Sequence, residues 1–242
     1  MYDASSRNAV CGAICTHPTD NIQSLVRPPV PVALNGVAGY ADRLDTAPRS
    51  LIDFGAIVAC PERGQRMAAL YAAAPTYDRT ALPAYCAFRD ETADQFAYLT
   101  APVARGGLGV TVVRTDLDPY PDAGAMMTDL LEHRRLKIFA TAAGDNPHPL
   151  LTDDENDMFR AVHDFFGHAS TGRGFDRHGE EGAWVKHAGM YSPLARQAMT
   201  TETRAVNSSL IWTYGGERFP EQKAVLLPPA FCDPAQFSSR PS

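Results

Sequence analysis

Segments with helical periodicity alternate along the chain with short stretches that break it. Residues 62–74 read as a helix in which Arg66, Ala69, Leu70 and Ala73 fall at helical spacing. Residues 82–99 give a clearer amphipathic helix. There Tyr85, Phe88, Thr92, Phe96 and Leu99 recur at threes and fours, with Arg89, Asp90 and Asp94 between them. Gly106-Gly107 interrupts the pattern, and the β-branched run at 108–113 reads as a strand. Asp118-Pro-Tyr-Pro-Asp122 is turn chemistry, because each proline biases the residue before it away from helix. A short helix is expected over 123–133, a second strand over 136–141 and a loop over 144–149.

The best-formed local signal comes next. Thr152 followed by Glu155 is a capping box, and Asp153, Asp154 and Glu155 suit the positive end of a helix. Phe159, Val162, His163 and Phe166 make one inward stripe, and Gly167 is expected to end the helix. After a glycine-containing loop at 170–179, Glu180 opens another helical run to about 206, with a break near Pro193. Its inward stripe is Ala183, Trp184, His187, Tyr191, Leu194, Ala195, Ala198 and Met199, and one further turn lands on Glu202.

Residues 1–50 differ from the rest. Pro18, Pro28, Pro29, Pro31 and Pro48 remove donors and fix φ, so this stretch reads as an extended arm with one short strand near 30–34. The expected fold is α+β, mainly α: a core domain over 51–242 and a proline-rich arm over 1–50 suited to locking a homo-oligomer together.

Composition narrows the function classes. With 242 residues, 45% of them hydrophobic and 21% charged, the chain has globular values and length enough for a sizeable core. The 22 basic and 28 acidic residues give 22 − 28 = −6, without a basic cluster, which argues against a nucleic-acid surface. No apolar run is long enough to span a membrane, and the first residues lack the pattern of a secretory signal. Five cysteines, an odd number, suit reduced thiols in a cytoplasm. Cys11-x3-Cys15-x-His17 offers three zinc-type ligands without a fourth nearby.

The candidate chemistry is concentrated late in the chain, where four of the seven histidines lie between 163 and 187. His163 and Glu202 occupy positions where the helical stripe calls for apolar residues, and a buried carboxylate is costly unless paired or bound to metal. Two histidines five apart, His163 and His168, can converge on one ion if the last helical turn loosens. A carboxylate from the following helical run then completes a facial set of two histidines and one carboxylate, the usual choice for non-haem Fe(II). Glu202 is the first candidate for that carboxylate, with Glu180 or His187 as replacements. Asp164 and His187 suit holding a ligand or transferring a proton. Arg173, Arg177 and Arg204 can orient an anionic group on a small-molecule substrate, and Trp184 offers a dry wall.

His163-Asp-Phe-Phe-Gly-His168 resembles the His-Glu-x-x-Gly-His segment of pterin-dependent aromatic amino acid hydroxylases. In that family the two histidines and a later glutamate hold iron. The resemblance implies His163, His168 and Glu202 as ligands, with Glu202 lying 34 residues after His168. Asp164 stands where the family has Glu, and no proline follows His168 two residues on. A broader block also resembles segments of bacteriophage and bacterial proteins. It runs from Phe159 through Gly179-Glu-Glu-Gly-Ala-Trp184 to Thr201-Glu-Thr-Arg204, with Phe88 to Thr92 and Gln95 upstream. It implies a mobile-element origin and no reaction.

The expectation is therefore a non-haem Fe(II) oxygenase or hydroxylase, with another divalent metal as an alternative and neither pterin nor 2-oxoglutarate specified as co-substrate. Two rivals remain. One is a structural or partner-binding phage protein, in which His163, His168 and Glu202 are satisfied core groups. The other is a metal-dependent phosphohydrolase built on the His163-Asp164 pair, for which His133 and then Asp176 or Asp233 would have to supply the remaining ligands.

Overall fold

The computed structural model describes residues 25–43 and 52–237. The chain is mainly helical, with one small parallel sheet. Helices α1 (Pro31–Arg43), α2 (Pro61–Ala73) and α3 (Leu82–Thr100) precede a β–α–β unit of β1 (Thr111–Thr115), α4 (Ala123–His133) and β2 (Arg135–Phe139). Then come α5 (Asp153–His163), α6 (Arg177–His187), α7 (Ala195–Thr200) and α8 (Val206–Trp212). The two strands pair in parallel, Val112 opposite Leu136, and α4 supplies the crossover that parallel strands require.

Local chemistry explains most of these boundaries. Pro61 opens α2 in the first turn, where its missing N–H costs nothing. The Asp122 carboxylate caps α4 through the Ala125 N–H, and Arg134 closes it in the left-handed region at φ 49°. The capping box at Thr152 and Glu155 forms as the sequence predicts, each side chain taking the other's backbone N–H. Arg114 on β1 donates to Asp157 and Asp154, and Asp157 also accepts from Thr141, so β1 and the β2 exit are tied to α5.

Four expectations change. Residues 25–43 are not an outlying extended arm. Leu25 to Val30 run along the segment after α5, with Arg27 N–H donating to Gly172 O and Val30 N–H to Ala169 O. The chain then turns helical at Pro31, which occupies the first position of α1, so no strand forms at 30–34. Val30, Ala33 and Tyr40 join the main core. The rest of the 1–50 region, including Cys11, Cys15 and His17, lies outside the described residues. On α2 the buried face is Gly64, Met67, Ala68 and Tyr71, packed toward α8, while Arg66, Ala69, Leu70 and Ala73 face solvent. Leu194, placed in the inward stripe by its spacing, is exposed at the break near Pro193.

The fourth change concerns the site. Gly167 does not end a helix. The chain continues from α5 through a π-helical segment, Asp164–Ala169, and a second π-helical segment, Thr201–Ala205, joins α7 to α8. Wide turns of this kind are rare and recur at functional sites. Carbonyls at the first segment are taken up by side chains: Ser170 Oγ donates to Phe166 O, and Thr171 Oγ1 to Gly167 O. Gly167 serves close packing. A Cβ there would lie 3.1 Å from Ala183 Cβ and 3.2 Å from Ala183 O, so its absence lets α6 lie directly on the π-helical turn.

Candidate metal centre

The π-helical turn and the approach of α6 bring three groups together. His163 ends α5, His168 lies within the turn, and Glu180 is in the first turn of α6, whose start is fixed by Asp176 accepting from the His178 and Gly179 N–H groups. One ligand atom from each of His163, His168 and Glu180 lies within 4.8 Å of the others, so the group can hold a metal ion. His163 Nε2 is 3.6 Å from Glu180 Oε2, and His168 Nε2 is 3.4 Å from Glu180 Oε1. In a π-helix the i to i+5 relation replaces i to i+4, so residues five apart face one another. The two imidazoles accordingly meet edge to face with centroids 5.1 Å apart.

The second nitrogen of each ring is occupied. His168 Nδ1 is 3.3 Å from Arg173 O, which can only accept, so Nδ1 carries a proton and Nε2 of the neutral ring presents a lone pair toward Glu180. His163 Nδ1 is 3.1 Å from His187 Nδ1, while its Nε2 is buried without a hydrogen-bond partner. Glu180 Oε2 accepts from Asn207 Nδ2 at 2.8 Å, which fixes the carboxylate plane. Two imidazole lone pairs and an anion pointed at one another repel unless a cation or a shared proton lies between them. Burial pushes the Glu180 carboxyl up, but the charges and contacts of His168 and His163 outweigh it and hold it at about 2. Burial pushes His168 down, and the facing Glu180 carboxylate overcomes this and raises it.

Aromatic rings seal the group. Phe159 stacks on His187 and tilts against His163, Phe166 packs on His187, and Phe175 sets its edge on His168 at 4.9 Å. Glu180 also forms part of the wall of a cleft of about 30 Å³, shared with Arg63, Met67, Arg177, Asn207 and Trp212. That space admits a water or two.

The remaining sequence candidates separate. Glu202 does not join the histidines. The second π-helical segment presents it to Tyr85, whose hydroxyl donates to it, and to His148 Nε2 at 3.3 Å. Glu180 is the carboxylate that meets them instead. Arg173 is buried and donates to the Gly55 and Ile57 carbonyls, so it ties a loop down rather than cradling an anion. Arg204 pairs with Glu181, donates to Phe231 O and lies over the Trp184 ring; it and Trp184 belong to the core. Arg177 remains at the cleft, with its guanidinium over Trp212. Asp164 lies beside the group, where burial raises its carboxyl against the lowering effect of His168 and His163. His187 holds His163.

The phosphohydrolase ligand set is not assembled. His133 is exposed at the end of α4 beside Glu132, Asp176 caps α6, and Asp233 accepts from Ala235 N–H.

Sequence reasoning gave Gln95 no role at the site and missed Asn207. Gln95 is wholly buried and falls three residues after Thr92 and seven after Phe88, so a polar side chain within a buried stripe was the available signal. Asn207 had none. The chain matches no protein-family model, no curated protein and no solved structure. No helix among the described residues is long and apolar enough to cross a membrane.

Proposed function

We propose that this chain is a metal-dependent enzyme in which His163 Nε2, His168 Nε2 and a Glu180 oxygen hold one divalent ion, Fe(II) by the character of the donor set. The observation that carries the reading is the buried, unpartnered His163 Nε2 aimed at Glu180 beside His168 Nε2. Two histidines and one carboxylate leave coordination positions open, the arrangement typical of non-haem Fe(II) oxygenases. Bound Fe(II) would supply dioxygen activation, and the reaction class is an oxygenation or hydroxylation of a small molecule.

The chain's own groups supply the setting. Asn207 orients the Glu180 carboxylate, the Arg173 carbonyl orients His168, and Phe159, Phe166 and Phe175 keep bulk water from the histidines. The cleft lined by Arg177 and Trp212 reaches the group at Glu180.

The test is metal content after anaerobic purification of the wild type and of His163→Ala, His168→Ala, Glu180→Ala and Glu202→Ala. One iron per chain in the wild type and in Glu202→Ala, lost in the other three, is the expected result. Zinc in place of iron after iron-replete expression overturns the oxygenase assignment and leaves a hydrolytic one. Two metals per chain would point to a phosphohydrolase. No metal in a folded wild type after reconstitution overturns the enzyme reading and makes the group a structural one.

A further inference from the structure

We infer that Gln95, on α3 and remote in sequence from the candidate ligands, is a positioning residue that sets which nitrogen of His163 is free to bind metal. The inference rests on the metal reading above and adds to it a proton relay of three side chains. It begins at the Met190 carbonyl, which can only accept. Gln95 Nε2 lies 3.3 Å from it, so the amide group is turned with its nitrogen toward Met190 and its oxygen toward His187.

The rest follows by donor–acceptor matching. His187 Nε2 is 2.7 Å from Gln95 Oε1, an acceptor, so Nε2 carries the proton of the neutral ring. His187 Nδ1 is then a lone pair. His163 Nδ1, 3.1 Å away, must be the donor to it. A neutral His163 with its proton on Nδ1 has its lone pair on Nε2, the unpartnered atom directed at Glu180. Reversing the Gln95 amide would set its oxygen against the Met190 carbonyl and its NH2 against His187 Nε2. His187 would then protonate on Nδ1, His163 would accept there, and His163 Nε2 would carry a proton instead of a lone pair.

Packing holds the relay in place. Gln95 and His187 are wholly buried, the Tyr191 ring lies 5.1 Å from His187, and the Tyr191 hydroxyl is bonded to Thr92, one turn before Gln95. Partners of this kind, which hold a ligand's far nitrogen, are typically worth 10–100-fold in metal affinity.

The test uses the metal-free full chain with 15N-labelled histidine, read by long-range 1H–15N correlations that distinguish the two imidazole tautomers, followed by Co(II) titration monitored by visible absorption. The wild type should show His163 protonated on Nδ1 and His187 on Nε2. Gln95→Leu should disturb the His187 and His163 tautomers and weaken Co(II) binding by about 10–100-fold. Gln95→Glu should restore both as the neutral acid that full burial favours, its O–H donating to Met190 O and its carbonyl oxygen accepting from His187 Nε2.

His163 protonated on Nε2 in the wild type overturns the inference. So does wild-type Co(II) affinity in a folded Gln95→Leu, or failure of Gln95→Glu to restore binding when Gln95→Leu loses it. If the wild type shows the expected tautomers but binds no Co(II), the metal reading fails and the inference fails with it, and the tautomer pattern identifies that cause.

Discussion

Replacing Glu180 by Gln separates the geometry described here from the ligand set that the sequence alone favours. The substitution keeps the shape of the side chain and an oxygen that can still accept from Asn207 Nδ2, but removes the anionic member of the group. At a metal concentration one hundred times the dissociation constant, binding to the native state alone stabilises the wild type by about 2.7 kcal/mol. For a chain of this size that is a rise in Tm of roughly 5–11 °C. If loss of the carboxylate weakens binding about a hundredfold, the same metal concentration stabilises the variant by only about 0.4 kcal/mol, a shift of roughly 1–2 °C. Differential scanning calorimetry with and without Fe(II) under anaerobic conditions reads both shifts. Glu202→Gln should retain the wild-type shift, because its carboxylate is engaged with Tyr85 and His148. A full metal-dependent shift in Glu180→Gln, or its loss in Glu202→Gln, would refute the assignment of Glu180 as the third donor.

Three further outcomes test the surrounding structure. Gly64→Ala should destabilise by about 1–3 kcal/mol in urea unfolding, because the added Cβ would lie 2.2 Å from Trp212 Nε1 and must displace that ring; an unchanged midpoint would show the α2–α8 contact to be wrong. Glu181→Gln leaves the buried Arg204 guanidinium without its anion and should cost about 3–5 kcal/mol; a cost below about 1 kcal/mol would mean the pair is solvated. Side-chain hydrogen bonds from Arg135 hold the Asp129 carboxyl below its ordinary value, so its contribution to stability is present above the unfolded value of 3.8 and is lost as pH falls through the folded one. Asp129→Asn should therefore flatten the acid limb of the stability curve, and an acid limb identical to that of the wild type would count against the pairing.

Much of the helical framework was legible because the signals are local. Thr152 and Glu155 cap α5 with groups three residues apart, and α3 shows its stripe within its own sequence. Other features depended on neighbours far along the chain. Arg66, Leu70 and two alanines on α2 shared a face by spacing, yet the face that docks on α8 is the one carrying Gly64, where only hydrogen fits beside Trp212. The prolines near residue 30 argued for extended chain, but Pro31 is compatible with a first helical position, and the core surface below α1 decides that it is used so.

The sequence by itself determined a mainly helical α+β chain and the two histidines five apart, together with the condition for their convergence, a loosened helical turn. The tertiary structure decided how that turn is made, as a π-helical segment rather than a helix end, and which carboxylate meets it. Spacing placed Glu202 inward, and it is inward, but a helical stripe does not state which neighbour it faces. That depends on how α6 and the α7–α8 run cross the earlier helices. Gly167 admits α6 against the π turn and delivers Glu180, while the second π segment turns Glu202 toward Tyr85 and His148. Periodicity fixes orientation about one helix axis; the partner across the interface is fixed only when the helices pack.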